Sequence, residues 1–107
     1  MRFNEYQKDA RSTLLPGCNN FAYLVFGLCG ETGEVAEKFK KEIRKGGALC
    51  NDEFTESVAK ELGDVLWYIT ILANKLGYDL EDIAQLNTDK LTSRKERNQI
   101  EGNGDDR

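Results

Sequence analysis

Two stretches of the chain, residues 21–45 and 52–76, carry the same constraint: an apolar stripe at helical spacing with two carboxylates three residues apart along its edge. On a helical wheel of about 100° per residue, with Glu31 at zero, Leu24, Leu28, Val35 and Phe39 fall between roughly 20° and 80°, and Glu34 lies about 60° to the other side. From Glu61, the residues Phe54, Val58, Val65, Ile69, Leu72 and Leu76 occupy the same sector, and Asp64 lies where Glu34 does. Residues three apart share one side of a helix. Each helix therefore sets an acidic ladder beside the stripe it must bury, and packing stripe against stripe brings the two ladders toward one cleft.

The rest of the chain fits an all-α fold. There is one proline, Pro16, and helix-compatible stretches are separated by glycine and asparagine. A first helix is expected from Asn4 to about Leu14, with Asn4 and Gln7 as a capping-box-like pair. Residues 16–20 read as a loop. The second helix, from about Phe21 to Lys45, ends at Gly46 and Gly47. Its Gly27, Gly30 and Gly33, each costing about 1 kcal/mol against alanine, call for close helix approach or a break near Gly30. The third runs from Asn51 or Asp52 to Gly77, and the fourth from an Asp79 cap to about Lys95. Residues 98–107 read as a flexible tail of a single domain spanning 1–107. Trp67 and Ile71 make a second apolar stripe on the third helix, which places that helix centrally in a bundle or at a subunit interface.

Composition removes several function classes. A net charge of −4 argues against a nucleic-acid-binding role, which needs a large positive surface. No apolar run is long enough to cross a bilayer, and the first residues lack the apolar core of a signal peptide. Cys18, Cys29 and Cys50 have no metal-type spacing and read as reduced thiols of a cytoplasmic protein. With no histidine in the chain, serine–histidine and cysteine–histidine schemes are excluded, and any metal must be held by oxygen, which favours magnesium or manganese.

A divalent ion resolves the conflict that converging ladders create. Like charges in a partly dry cleft repel, and a cation that accepts several oxygen ligands removes the repulsion. On the fourth helix Asn87, Lys90 and Arg94 share one face, with Ile83 and Leu91 flanking it toward the interior. Cations there suit an anionic substrate, lysine as a point charge and arginine as a fork for phosphate oxygens. Tyr68 falls on the carboxylate side of its helix and is the aromatic placed to touch a nucleotide. The competing reading makes the acids a solvated surface paired with Lys38, Lys60 and their neighbours.

Gly30-Glu31-Thr32-Gly33-Glu34 followed by Glu61-Leu62-Gly63-Asp64 resembles the two-part Glu-x-x-Glu…Glu-x-x-Asp signature of MazG-like proteins. Asn87-x-x-Lys90-Leu91-x-x-Arg94 and residues 102–107 resemble that family's C-terminal pattern. The resemblance implies a four-helix all-α bundle completed by homo-oligomerisation into a dimer or tetramer, the site lying near a subunit interface. It implies hydrolysis of a nucleoside triphosphate, such as a non-standard or surplus (deoxy)nucleotide, to the monophosphate and pyrophosphate. Glu31, Glu34, Glu61 and Asp64 would hold magnesium, or manganese in its place, with Glu34 orienting the attacking water. Lys38, Lys90, Arg94 and Arg107 would meet phosphates, and Tyr68 and Asn87 the sugar or base. Two alternatives stay open: a non-catalytic helical interaction module and a phosphoribosyl-ATP pyrophosphohydrolase.

Overall fold

The computed structural model describes residues 1–47, 49 and 51–107. Every regular element among them is helical: α1 (Phe3–Ser12), a single 3₁₀ turn (Pro16–Cys18), α2 (Phe21–Arg44), α3 (Asp52–Lys75) and α4 (Leu80–Glu96). The chain is all-α, as its patterning predicts. Cys18 and Cys29 are free thiols, and Cys50 lies outside the described residues. No helix among the described residues is long and apolar enough to cross a membrane.

The helix ends follow from side chains that satisfy first-turn donors. Asn20 Oδ1 accepts from the backbone N–H of Tyr23 at 2.8 Å, and Asn51 Oδ1 does the same for Phe54 at 2.8 Å. Asp79 and Asp82 form a reciprocal capping box at the start of α4. Gly46 and Gly77, with φ of 71° and 92°, carry the chain out of α2 and α3 through the left-handed region that a Cβ disfavours.

One expectation fails at this level. Asn4 does not cap α1, which starts at Phe3 with Arg2 at the N-cap and no side-chain bond. Its expected partner Gln7 turns inward instead. Gln7 Oε1 accepts from Leu80 N at 2.8 Å and from Asn74 Nδ2 at 2.8 Å, while Gln7 Nε2 donates to Asp79 Oδ1 at 2.9 Å. Leu80 is buried, 4% exposed, and its first-turn N–H has no partner within α4, so satisfying it is worth more than capping a solvent-exposed helix start. Of the two reasons offered for the glycines of α2, close approach holds at Gly27, which lies against the Tyr68 ring. There is no break near Gly30: α2 is one 24-residue helix, its continuity held by packing along α3 rather than by propensity.

The most extensive pairing is α2 with α3, and α3 also meets α1 and α4, so it is the central helix. The α2–α3 pair is antiparallel. Leu24 and Ile71 share one core cluster, and at the far end Phe39 meets Phe54 edge-to-face at 5.0 Å. The second apolar stripe of α3 is covered by α1 of the same chain. Ile71 packs with Ala10, with Tyr6, Leu14 and Trp67 around them, and Trp67 Nε1 donates to Thr13 Oγ1 at 2.8 Å and to Ala10 O at 3.2 Å.

The protomer is open. Its radius of gyration is 16.7 Å, against about 13 Å for a compact domain of this length. Phe26 is 73% exposed and Leu62 53%. Leu86 and Leu91 are also exposed, so Leu91 does not draw the polar face of α4 inward. Among the described residues α4 meets only α1 and α3 in any breadth, which leaves that side chain uncovered.

Candidate metal centre

The antiparallel register of α2 and α3 is what assembles the acidic site. Moving one turn along α2 from Gly27 reaches Glu31, and moving one turn back along α3 from Tyr68 reaches Asp64. Because Gly27 lies under Tyr68, Glu31 falls beside Asp64, and Glu61, three residues before Asp64, joins them. Glu31, Glu61 and Asp64 each offer a carboxylate oxygen within 4.8 Å of the other two. Glu31 and Glu61 are half-buried and Asp64 is exposed.

Of the four acids expected to meet, the structure brings together these three. Glu34 is exposed and outside that group, though near enough for its charge to act on Glu31. The Glu31 carboxyl is held above the ordinary glutamate range. Burial is the largest cause, followed by a hydrogen bond with Glu61 and by the charges of Asp64, Glu61 and Glu34. Burial, and after it the Asp64 charge, likewise pushes the Tyr6 hydroxyl up. After burial, the neighbouring carboxylate charges contribute to both shifts, so negative charge is gathered here and a cation would relieve it.

The donor set suits a hard divalent ion. All three ligands are carboxylate oxygens, the chemistry that magnesium and manganese take. Ligands around one octahedral magnesium lie roughly 3–4 Å from each other, and the three oxygens, all within 4.8 Å of one another, are close to that spacing. Glu31 and Asp64 open onto a cavity of about 330 Å³ lined also by Thr13, Trp67 and Tyr68. Tyr68 stands edge-on to Trp67 at 4.9 Å and tilted against Tyr23 at 6.3 Å. The Tyr23 hydroxyl is raised well above its ordinary value, by a hydrogen bond with Cys18 first and with Tyr68 second. Thr13 carried no signal in the sequence, because only the packing of α1 across α3 brings it here.

The cations fall in two places. Lys38 Nζ lies 3.9 Å from Glu61 Oε1, at the border of the acidic group. Asn87 and Lys90 line a separate cavity with Leu80, Ile83, Ala84 and Leu86, which shares no residue with the acidic one. Lys90 Nζ meets Asp105 Oδ1 at 3.1 Å. Arg94, only 4% exposed, donates through Nη2 to Gly104 O at 3.2 Å, Asp105 O at 3.0 Å and Asp105 Oδ1 at 3.4 Å. Arg107 ties the same segment to itself through the carbonyls of Gln99, Ile100 and Gly104. Within one chain, then, Lys38 and Tyr68 accompany the acidic group, whereas Asn87 and Lys90 line a cavity along α4 and Lys90, Arg94 and Arg107 hold the folded-back C-terminal segment.

Residues 20–98 match the family model described as the MazG nucleotide pyrophosphohydrolase domain. The chain is also similar to the Gene 37 protein of Mycobacterium phage L5, at 40% identity over 114 aligned positions that cover 100% of both chains. No solved structure matches it.

Proposed function

We propose, because the chain belongs to the MazG nucleotide pyrophosphohydrolase family, that it hydrolyses nucleoside triphosphates to the monophosphate and pyrophosphate, with Glu31, Glu61 and Asp64 holding magnesium. The observation that carries this reading is the meeting of those three carboxylates beside a cavity that Glu31 and Asp64 line, inside the segment that matches the family model. Families of this kind are typically metal-dependent, and a histidine-free oxygen site fits magnesium, with manganese as a substitute. When bound, the ion supplies positive charge against the phosphate under attack and lowers the pKa of water.

The chain's own residues divide the remaining work. Glu34, free of the acidic group and one turn from Glu31, accepts a hydrogen bond from the attacking water and orients it toward the α-phosphate. As the bond from the α-phosphorus to the bridging oxygen breaks, pyrophosphate leaves carrying that oxygen. Lys38, held only loosely by Glu61 at 3.9 Å, offers its ammonium to the departing phosphates. Tyr68, with Trp67 and Thr13 beyond it, walls the side on which sugar or base lies. Asn87, Lys90, Arg94 and Arg107 reach substrate from another copy of the chain. The open protomer and its exposed Phe26 and Leu62 support assembly as a homodimer or homotetramer. Removal of non-standard or surplus (deoxy)nucleotides in the cytoplasm is the role this chemistry suits.

The test is pyrophosphate release from a panel of ribo- and deoxynucleoside triphosphates together with phosphoribosyl-ATP, with magnesium or with EDTA, for wild type and Glu61→Ala. Metal-dependent release that the substitution abolishes is the expected result. Release only from phosphoribosyl-ATP would assign the alternative substrate, and no release from any substrate would leave a non-catalytic helical module. If Glu61→Ala matched wild type, the site would be wrong.

A further inference from the structure

Gly27 is the point where the backbone of α2 must stay bare. A Cβ built on it would overlap Cε1 and Cζ of Tyr68 and sit 2.7 Å from Cδ1, whereas carbon atoms in contact normally stand at about 3.5–4.0 Å. Trp67 stands edge-on to the ring at 4.9 Å and Tyr23 flanks it at 6.3 Å, so two of its sides are occupied while another borders the cavity beside the acids. Gly30, Gly33 and Gly63, by contrast, face open space in the protomer. Of the four helical glycines near the site, only Gly27 has a neighbour that requires it.

The position of this contact matters. Gly27 precedes Glu31 by four residues on α2, and Tyr68 follows Asp64 by four on α3, so the notch lies one helical turn, about 5.4 Å along the axis, from the carboxylates. Ring thickness at the notch therefore sets the separation of α2 and α3 where Glu31 faces Asp64. We infer that Gly27 is a positioning residue, and that the Tyr68 ring seated on it is the spacer fixing which size of divalent ion the Glu31–Glu61–Asp64 group accepts. This rests on the proposed metal site but not on the proposed reaction. Magnesium demands near-ideal geometry at about 2.0–2.1 Å, while calcium tolerates irregular ligands at about 2.3–2.6 Å. A displacement of ~1 Å, the least that a methyl group at Gly27 imposes, discriminates between the two ions.

The experiment is calorimetric titration of the intact protein with magnesium and with calcium, without nucleotide, on wild type, Gly27→Ala, Tyr68→Leu and Tyr68→Phe. Gly27→Ala is expected to weaken magnesium on the order of tenfold, the usual effect of a residue that orients ligands, with calcium little changed. Tyr68→Leu, which removes the ring from the other side of the contact, moves the magnesium-to-calcium ratio as well and serves if Gly27→Ala fails to fold. Tyr68→Phe keeps the ring and so keeps the ratio, which separates a spacer from a hydroxyl effect. Equal losses for both ions, or a ratio unmoved in Gly27→Ala and Tyr68→Leu, overturns the spacer and leaves the metal site standing. Wild type that binds neither ion overturns both.

Discussion

Replacing Asp64 by Asn should stabilise the metal-free protein and destabilise the metal-loaded one. In the absence of an ion, Asp64 lies within 4.8 Å of oxygens on both Glu31 and Glu61. At that separation two unit charges repel by roughly 1 kcal/mol in water and about 3.5 kcal/mol at an effective dielectric of 20. Asp64 is exposed, so solvent holds the cost near the low end, and removing its charge relieves two such repulsions, about 0.5–1.5 kcal/mol together. No ion pair is lost with it, since the lysine at this site, Lys38, pairs with Glu61 instead. For a domain of this size ~1 kcal/mol corresponds to about 4–8 °C in Tm, so the variant in EDTA should melt a few degrees above wild type. If the proposed site binds magnesium, wild type at a hundred times the dissociation constant should gain about 2.7 kcal/mol by mass action, and a variant lacking one of the three proposed ligands should gain much less. The order of the two Tm values therefore inverts on adding magnesium. Thermal melts at one protein concentration and low ionic strength, with EDTA or with magnesium, measure this directly. A variant that melts below wild type in EDTA, or that gains as much from magnesium, would refute a repulsive triad that waits for a cation.

Two further outcomes concern the C-terminal segment. Lys90, through its hydrogen bond and charge, and then Arg94 hold the Asp105 carboxyl below the ordinary aspartate value of 3.8. A depressed acid contributes stability above its unfolded pKa and loses it as pH falls through the folded one. The contact with α4 should thus persist down to 3.8 and dissolve below it. Carbon-detected NMR titration of Asp105 shows this as a midpoint under that value, and Lys90→Met should move it upward; an unmoved midpoint excludes the pairing. Arg94→Met removes the buried donor shared by Gly104 and Asp105, at a cost of about 1–3 kcal/mol. It should lower Tm and speed proteolysis within residues 98–107, and equal cleavage rates in variant and wild type would show that Arg94 does not anchor the segment.

Helix boundaries were readable because they rest on local chemistry. Asn20, Asn51 and Asp79 cap within three residues of themselves, and Gly46 and Gly77 supply the positive φ on which α2 and α3 end. The three-residue spacing within each acidic pair is local in the same sense, and it placed Glu31, Glu61 and Asp64 on facing sides. What the wheel could not show is the offset between helices. On the wheel Glu34 is the counterpart of Asp64, yet Asp64 enters the group and Glu34 does not, because the register of the two helices, which sets Gly27 against Tyr68, is not written in either helix alone. Gln7 illustrates the same limit. Its expected role was a bond within its own helix, and its partners Asn74, Asp79 and Leu80 lie more than sixty residues away. Trp67 and Ile71 likewise found their cover in α1, whose distance along the chain gives no pattern to read.

Two features of the protomer have one physical remedy. The cations of α4 line a cavity separate from the acidic one, so a single chain separates the charges that a triphosphate would have to join. The same chain leaves Phe26, Leu62, Leu86 and Leu91 in solvent and spreads to a radius of gyration of 16.7 Å, about 4 Å beyond a compact domain of its length. Burying apolar area is worth about 25 cal/mol per Å², so open faces of this kind favour association with another copy. The proposed assembly would bury those faces and carry a second α4 toward the Glu31–Glu61–Asp64 group in one step. On that account, if chains assemble as proposed, the exposed leucines and the stranded cations would be a single property of the sequence, both answered where one chain meets another.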